Sequence, residues 1–115
     1  MSYRALHIDD IESIRDGRVK PLRTELGITA FGVNHITFAP HGTGSLHDES
    51  ASGQEELYLV LAGDGTLDVE GHHVKLRPGS CVVVTPGTMR QVHAGDAGLT
   101  YVCVGATPGR GYVPR

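Results

Sequence analysis

HDESASGQEELYLVLAG, residues His47 to Gly63, decides how this chain is read. It opens on side chains of metal-ligand type, crosses a small polar loop (Ser50, Ala51, Ser52, Gly53) and closes on a strand. His47 and Glu49 are two apart, so on an extended backbone both leave the same face. Glu56, Tyr58 and Val60 share one face of the following strand, and Leu57, Leu59 and Leu61 share the other. Both faces are therefore largely apolar, the pattern of a strand buried on both sides. Glu56 is the exception. A carboxylate at the head of a core strand needs a charge or hydrogen-bond partner, because burying it alone is costly.

The spacing resembles that of the cupins, small barrels with a metal site at the mouth. Their first motif runs from a glycine through H-x-H to a glutamate and a closing glycine. His47 falls on its first histidine, Glu56 on the glutamate, and Gly63 on the closing glycine after six intervening residues. Their second motif begins at a glycine, here Gly79, and Gly87 matches its inner glycine. The likeness covers roughly Gly32 to Gly105. It implies an all-β jelly-roll, a double-stranded β-barrel, preceded in this chain by a short helical arm. The chain departs from the motifs at five points. Glu49 stands at the second histidine, and six residues separate it from Glu56, a longer gap than the motif has. Arg90 stands at the second motif's histidine, Thr85 at its proline and Ala94 at its asparagine.

Composition fits that frame. A chain of 115 residues is the size of one domain, which at the mode holds ~100–150. An apolar share of 39% with 20% charged residues is ordinary for a globular protein. Sixteen glycines and six prolines provide the tight turns that short strands require. The net charge of −3 and the lack of a basic run speak against nucleic acid. The apolar runs Leu57–Ala62 and Cys81–Val84 are too short to span a bilayer. The N-terminus carries no signal-peptide stretch, and Cys81 and Cys103 read as buried free thiols inside strands. A cytosolic location is the simplest expectation, with no membrane partner.

Along the chain, residues 1–30 form an arm, 31–105 the barrel and 106–115 a surface tail. In the arm, Ile8, Ile11 and Ile14 recur every third residue, and Asp9 or Asp10 caps a short helix ending at Gly17. The stretch from Arg18 to Arg23 reads as a solvated connector. The isoleucines offer a contact for a second copy, since cupins commonly form pairs and a homodimer is what the resemblance implies. From Phe31 the period becomes two, giving a first strand through Phe38. A hairpin turns at Gly71-His72, and further strands follow at Cys81–Val84, Met89–His93 and Leu99–Val104. Short strands between Gly and Pro turns describe a jelly-roll or small closed barrel.

Such a barrel brings His47, Glu49, Glu56 and Arg90 from three strands to one mouth, where small-molecule sites tend to sit. Two arrangements satisfy the charges there. In one, His47, Glu49 and Glu56 hold a divalent metal; one imidazole with two carboxylates suits manganese, iron or zinc. In the other no metal binds, and Arg90 pairs with Glu56 or Glu49 in the cation's place. Two positive charges ~4 Å apart repel by about 4 kcal/mol at an effective dielectric of 20, so Arg90 weighs against the metal unless its head points away. His93, three residues on, faces the opposite way. Arg90 also offers a fork for a substrate anion, Glu56 a general base, and Tyr58 a proton donor. His41, in a loop near the mouth, is a candidate for the pocket lining, while His35 reads as packed and His72 and His73 as solvated. Three classes of function stay open: a metal-assisted oxygenase, isomerase or lyase acting on a small oxygenated or anionic compound; a metal-free enzyme using Glu56 and Arg90; and a non-catalytic binding module.

Overall fold

Two long strands carry the architecture, and each is bent by glycine. In the computed structural model, which describes residues 2–114, β1 (Val19–Lys20), α1 (Leu22–Leu26) and β2 (Gly32–Phe38) precede β3 (Glu55–Val69). Then come β4 (His72–Leu76), β5 (Cys81–Val84) and β6 (Arg90–Ala106). All pairings are antiparallel, in the order β1-β2-β6-β3-β4, with β5 beside the first half of β3 on the same edge as β4. β3 pairs with β6 along nearly its whole length, from Glu55↔Ala106 to Val69↔Arg90. The register slips twice, between Val60 and Ala62 and between Gly63 and Gly65. Those bulges turn both strands through a corner, so one continuous pair serves two walls of the barrel.

Gly63 shows why the corner needs glycine. Its φ is 82°, and a Cβ there would lie 2.1 Å from the Gly98 carbonyl oxygen on β6. No side chain fits that approach. The opposite end of β3 closes in a two-residue hairpin with Val69 opposite His72. Its turn residues are Glu70 and Gly71, at φ 47° and 86°, the signature of a type I′ turn. The turn thus falls one residue before Gly71-His72, and His72 begins β4.

The inward face follows the alternation of the sequence. Tyr58, Val60, Leu67, Leu76, Val92 and Leu99 lie in one core cluster with Phe38, Val84, Ala94, Tyr101 and Cys103. The outward face of β3 does not follow the expectation of burial on both sides: Leu57 and Leu61 are 38% and 48% exposed. β5 behaves alike, with Val84 buried and Val83 64% exposed. Cys81 is correspondingly exposed and only Cys103 is buried. The β3 pattern is that of a strand covered on both faces, while one chain alone covers one of them.

The arm differs from its expected form. A single 3-10 turn at Ile8–Asp10 is capped by the His7 side chain, so Asp9 and Asp10 sit within the turn and cap nothing. The helix lies further on, at Leu22–Leu26, and ends at Gly27 with φ 71° in a left-handed cap. β1 adds to the edge of β2 through Val19↔Ile36 and Lys20↔His35. Ile11 is 6% exposed and Ile14 is 47% exposed, so the three isoleucines do not form one outward stripe. Among the described residues, no helix is long and apolar enough to cross a membrane.

Replacing Gly63 by Ala is expected to lower the unfolding free energy in urea by about 2 kcal/mol or more, since φ and space both forbid a side chain. Gly87→Ala, where an added Cβ meets nothing, should stay within about 0.5 kcal/mol. Equal effects at the two sites would show that the corner does not depend on glycine.

Candidate functional site

His47 and Glu49 do not sit on a strand. They belong to the long connection between β2 and β3, which runs beside the first half of β6. Gly44 and Ala94 join the two through Gly44 N–H to Val92 O (2.9 Å) and Ala94 N–H to Gly42 O (2.8 Å). His47 then forms an isolated bridge with Arg90, with N–H···O distances of 3.1 and 2.9 Å. Glu49 N–H donates to Pro86 O at 2.7 Å. The loop is thereby held as an extra strand-like edge, and the backbone that carries His47 is hydrogen-bonded to the backbone that carries Arg90.

Arg90 is 0% exposed, and its head points inward. Nη2 donates to Glu56 Oε1 at 2.9 Å and Nε to the Tyr58 hydroxyl at 3.4 Å. Nη1 donates to the carbonyls of Thr88 and Thr85 at 2.6 and 3.4 Å. All three nitrogens are thus engaged by the protein. Burial works against the Arg90 charge, but the hydrogen bonds to Tyr58 and Glu56 outweigh it and hold its pKa above the ordinary value. The pairing with Glu56 agrees with the charge-partner reading, though as a single contact rather than a two-pronged one. An open fork for a substrate anion does not exist at this residue.

Tyr58, 3% exposed, donates its hydroxyl to the same Glu56 oxygen at 3.2 Å. Burial, reinforced by the Glu56 charge, pushes the Tyr58 phenol well above its usual pKa. The proton therefore stays on Tyr58 at neutral pH and faces Glu56. Burial and the same carboxylate raise the Cys103 thiol, whose Sγ lies 3.5 Å from Glu56 Oε2. Glu56 Oε1 thus carries two donors, one of them a guanidinium, while among the described residues Oε2 has only a weak thiol donor.

His47, Glu49 and Glu56 each offer a ligand atom, all within 4.8 Å of one another. His47 Nδ1 lies 3.0 Å from the Ser45 carbonyl; a carbonyl only accepts, so that nitrogen carries the proton. Nε2 then faces Glu49 Oε2 at 3.3 Å. An imidazole nitrogen facing a carboxylate oxygen at that distance is satisfied by a proton on Nε2 or by a metal ion between them. The second Glu49 oxygen is steadied by the Ser52 hydroxyl at 2.9 Å. The group fits a divalent ion: one imidazole nitrogen and carboxylate oxygens, the donor mix of manganese, iron or zinc sites.

His93 faces away from Arg90, as the strand alternation requires. With His73 it meets Asp68 on the outer face, His93 Nε2 lying 3.1 Å from Asp68 Oδ2. His41 pairs with Asp96 at 2.9 Å.

His47, Glu49, Glu56, Tyr58, Arg90 and Cys103 line a cavity of about 640 Å³, whose lining His41 does not join. Asn34, Gln54 and Tyr101 add to its wall, as do Arg15 and Arg18 of the arm. The arm arginines were hidden in the sequence because they precede the barrel in a stretch without strand alternation. The one signal there is Gly17, which lets the chain turn back on itself.

The Cupin_2 family, described as Cupin domain, matches residues 34–105. The chain belongs to the cupin family. Its fold is similar to that of a cupin protein from Bacteroides fragilis, at 22% identity and TM-score 0.80, covering 100% of this chain and 92% of that one. A cupin-superfamily sugar phosphate isomerase from Silicibacter pomeroyi matches at 27% identity and TM-score 0.74, over 91% of this chain and 77% of the other. KdgF from a Halomonas species matches at 17% identity and TM-score 0.71, over 96% of each chain. No curated protein matches the chain. As a cupin, the chain keeps the family's histidine and glutamate at His47 and Glu56 but has Glu49 and Arg90 where the motifs have histidines.

Proposed function

We propose that this cupin is a metal-dependent enzyme of the isomerase or lyase type that acts on a small oxygenated compound held in the barrel cavity. The observation that carries the reading is the contact of His47 Nε2 with Glu49 Oε2, which a proton or a metal ion between them satisfies, beside a Glu56 oxygen that Arg90 leaves free. His47, Glu49 and Glu56 would hold the ion. Bound there, manganese, iron or zinc would act as a Lewis acid toward a carbonyl or hydroxyl oxygen. Arg90 is a positioning residue on this reading. It holds one oxygen of Glu56 and so turns the other toward the cavity, which reconciles a buried guanidinium with a nearby metal. The sugar phosphate isomerase named above, at 27% identity, favours proton transfer at an oxygenated carbon over oxygen chemistry.

The metal-free alternative keeps a direct His47–Glu49 hydrogen bond and leaves the cavity a binding pocket. Metal analysis of tag-free chain separates the two. The wild-type chain should take up about one equivalent of manganese or zinc and unfold at a higher temperature with it. His47→Ala and Glu49→Gln should each lower that affinity by about tenfold or more. Uptake unchanged by both substitutions, or none in the wild type, contradicts the metal reading.

We also propose that a second copy of the chain covers the outward face of β3, β5 and β6. Leu57, Leu59, Leu61, Val83, Val102 and Val104 lie there in adjoining rows, and Leu57, Leu61 and Val83 are open to solvent. None of these side chains is charged, so a two-fold copy sets apolar rows against apolar rows without opposing like charges. Sedimentation equilibrium should give a dimer at tens of micromolar, and Val83→Glu should convert it to a folded monomer. A monomeric wild type at that concentration contradicts the proposal.

A further inference from the structure

We infer that Arg15 and Arg18, on the turn of the N-terminal arm, bind an anionic group of the cavity's ligand, so that the ligand is a phosphate ester or a carboxylate rather than a neutral polyol. This deepens the reading that the cavity takes a small oxygenated molecule, and rests on it. Arg15 and Asp16 adopt φ of 52° and 59°, followed by Gly17 at 80°. That sequence of left-handed residues folds the arm into a small hairpin, closed by Ile14 N–H to Val19 O at 2.7 Å and the return bond at 3.1 Å. β1 fastens the hairpin to β2. The result places Arg15 and Arg18 on the wall of the cavity that also holds His47, Glu49 and Glu56.

The two arginines differ from Arg90 in having capacity left. The Arg18 Cζ lies 5.3 Å from the Phe38 ring centroid, a cation–π contact that holds the guanidinium. Its Nε donates to the Arg15 carbonyl at 3.3 Å. Among the described residues, neither Arg15 nor Arg18 forms an ion pair with a carboxylate. Charge around the cavity points the same way. Its wall carries Arg15, Arg18 and Arg90 against Asp48, Glu49 and Glu56. Arg90 and Glu56 cancel, and a divalent ion at His47, Glu49 and Glu56 would offset the remaining acids. What is left is the pair of arm arginines, and guanidinium groups suit the forked oxygens of carboxylate and phosphate. An anion at the arm and a hydroxyl or carbonyl at the acidic end would span the cavity.

Calorimetric titration of the full chain, with and without manganese, tests this with methyl phosphate, glycolate and uncharged ethylene glycol. At least one anion should bind, and ethylene glycol should bind about tenfold more weakly or not at all. In Arg15→Gln/Arg18→Gln the anion should weaken by about tenfold or more, while manganese uptake and the unfolding midpoint match the wild type. Arg18→Lys should fall between the two, since it keeps the charge and loses the fork. If the double substitution loosens the arm, Arg15→Gln alone carries the test, because that side chain is exposed. Preference for methyl phosphate over glycolate, or the reverse, tells phosphate ester from carboxylate. Unchanged anion binding in the variants, equal binding of ethylene glycol, or no anion binding overturns the inference. Absence of manganese uptake overturns the metal reading instead and leaves the titration of the metal-free chain to decide this one.

Discussion

The barrel closes around a charge. Arg90 has no exposed surface, and its guanidinium joins Glu56 from β3, Tyr58 beside it, and the backbone at Thr85 and Thr88. A guanidinium cannot shed its proton to enter an apolar interior, so its place in the core depends on these acceptors being present together. That requirement fixes several parts at once. The turn after β5 must present two carbonyls inward, β3 must bring Glu56 and Tyr58 to the same face, and β6 must begin with Arg90 facing in. The register Val69↔Arg90 at one end of the long pair and Glu56↔Gly105 at the other satisfies the last two.

The same interaction divides the labour of one carboxylate. Glu56 Oε1 belongs to the barrel, through Arg90 and Tyr58, and Oε2 belongs to the cavity, with the Cys103 thiol against it. Positive charge on one side of Glu56 leaves its other side able to share a second cation with Glu49. The repulsion that a bare guanidinium would exert on a metal is screened by the acid between them. Departure from the family's histidines is therefore coherent: one histidine position has become the internal partner of Glu56, and the other has become a carboxylate facing His47.

The sequence made the barrel legible because its information is local and repeated. Alternation in β2, β3 and β6, and turn residues at Pro78-Gly79, Pro86-Gly87 and around Gly71, where the reading fell one residue late, each act over a few residues. His47, Glu49, Glu56 and Arg90 were legible as one group through the motif spacing, and Tyr58 through the strand face it shares with Glu56. What the sequence could not show was direction and partnership. Nothing local to Arg90 says that its three nitrogens find acceptors inside the chain. Nothing in Leu57, Leu61 and Val83 says that one chain leaves them uncovered. The arm was hidden for a related reason: Arg15 and Arg18 meet the cavity only because a hairpin at Gly17 lies over β2, a contact between segments far apart in the chain.

A double-mutant cycle on Arg90 and Glu56, read by urea unfolding in the presence of a chelator, measures the interaction on which this account turns. Arg90→Met alone should cost about 3 kcal/mol or more, because it leaves a half-buried carboxylate without its cation. With Glu56→Gln, the two changes should couple by about 2 kcal/mol. Additivity within about 0.5 kcal/mol would mean that the guanidinium and the carboxylate do not hold one another, and would contradict the account.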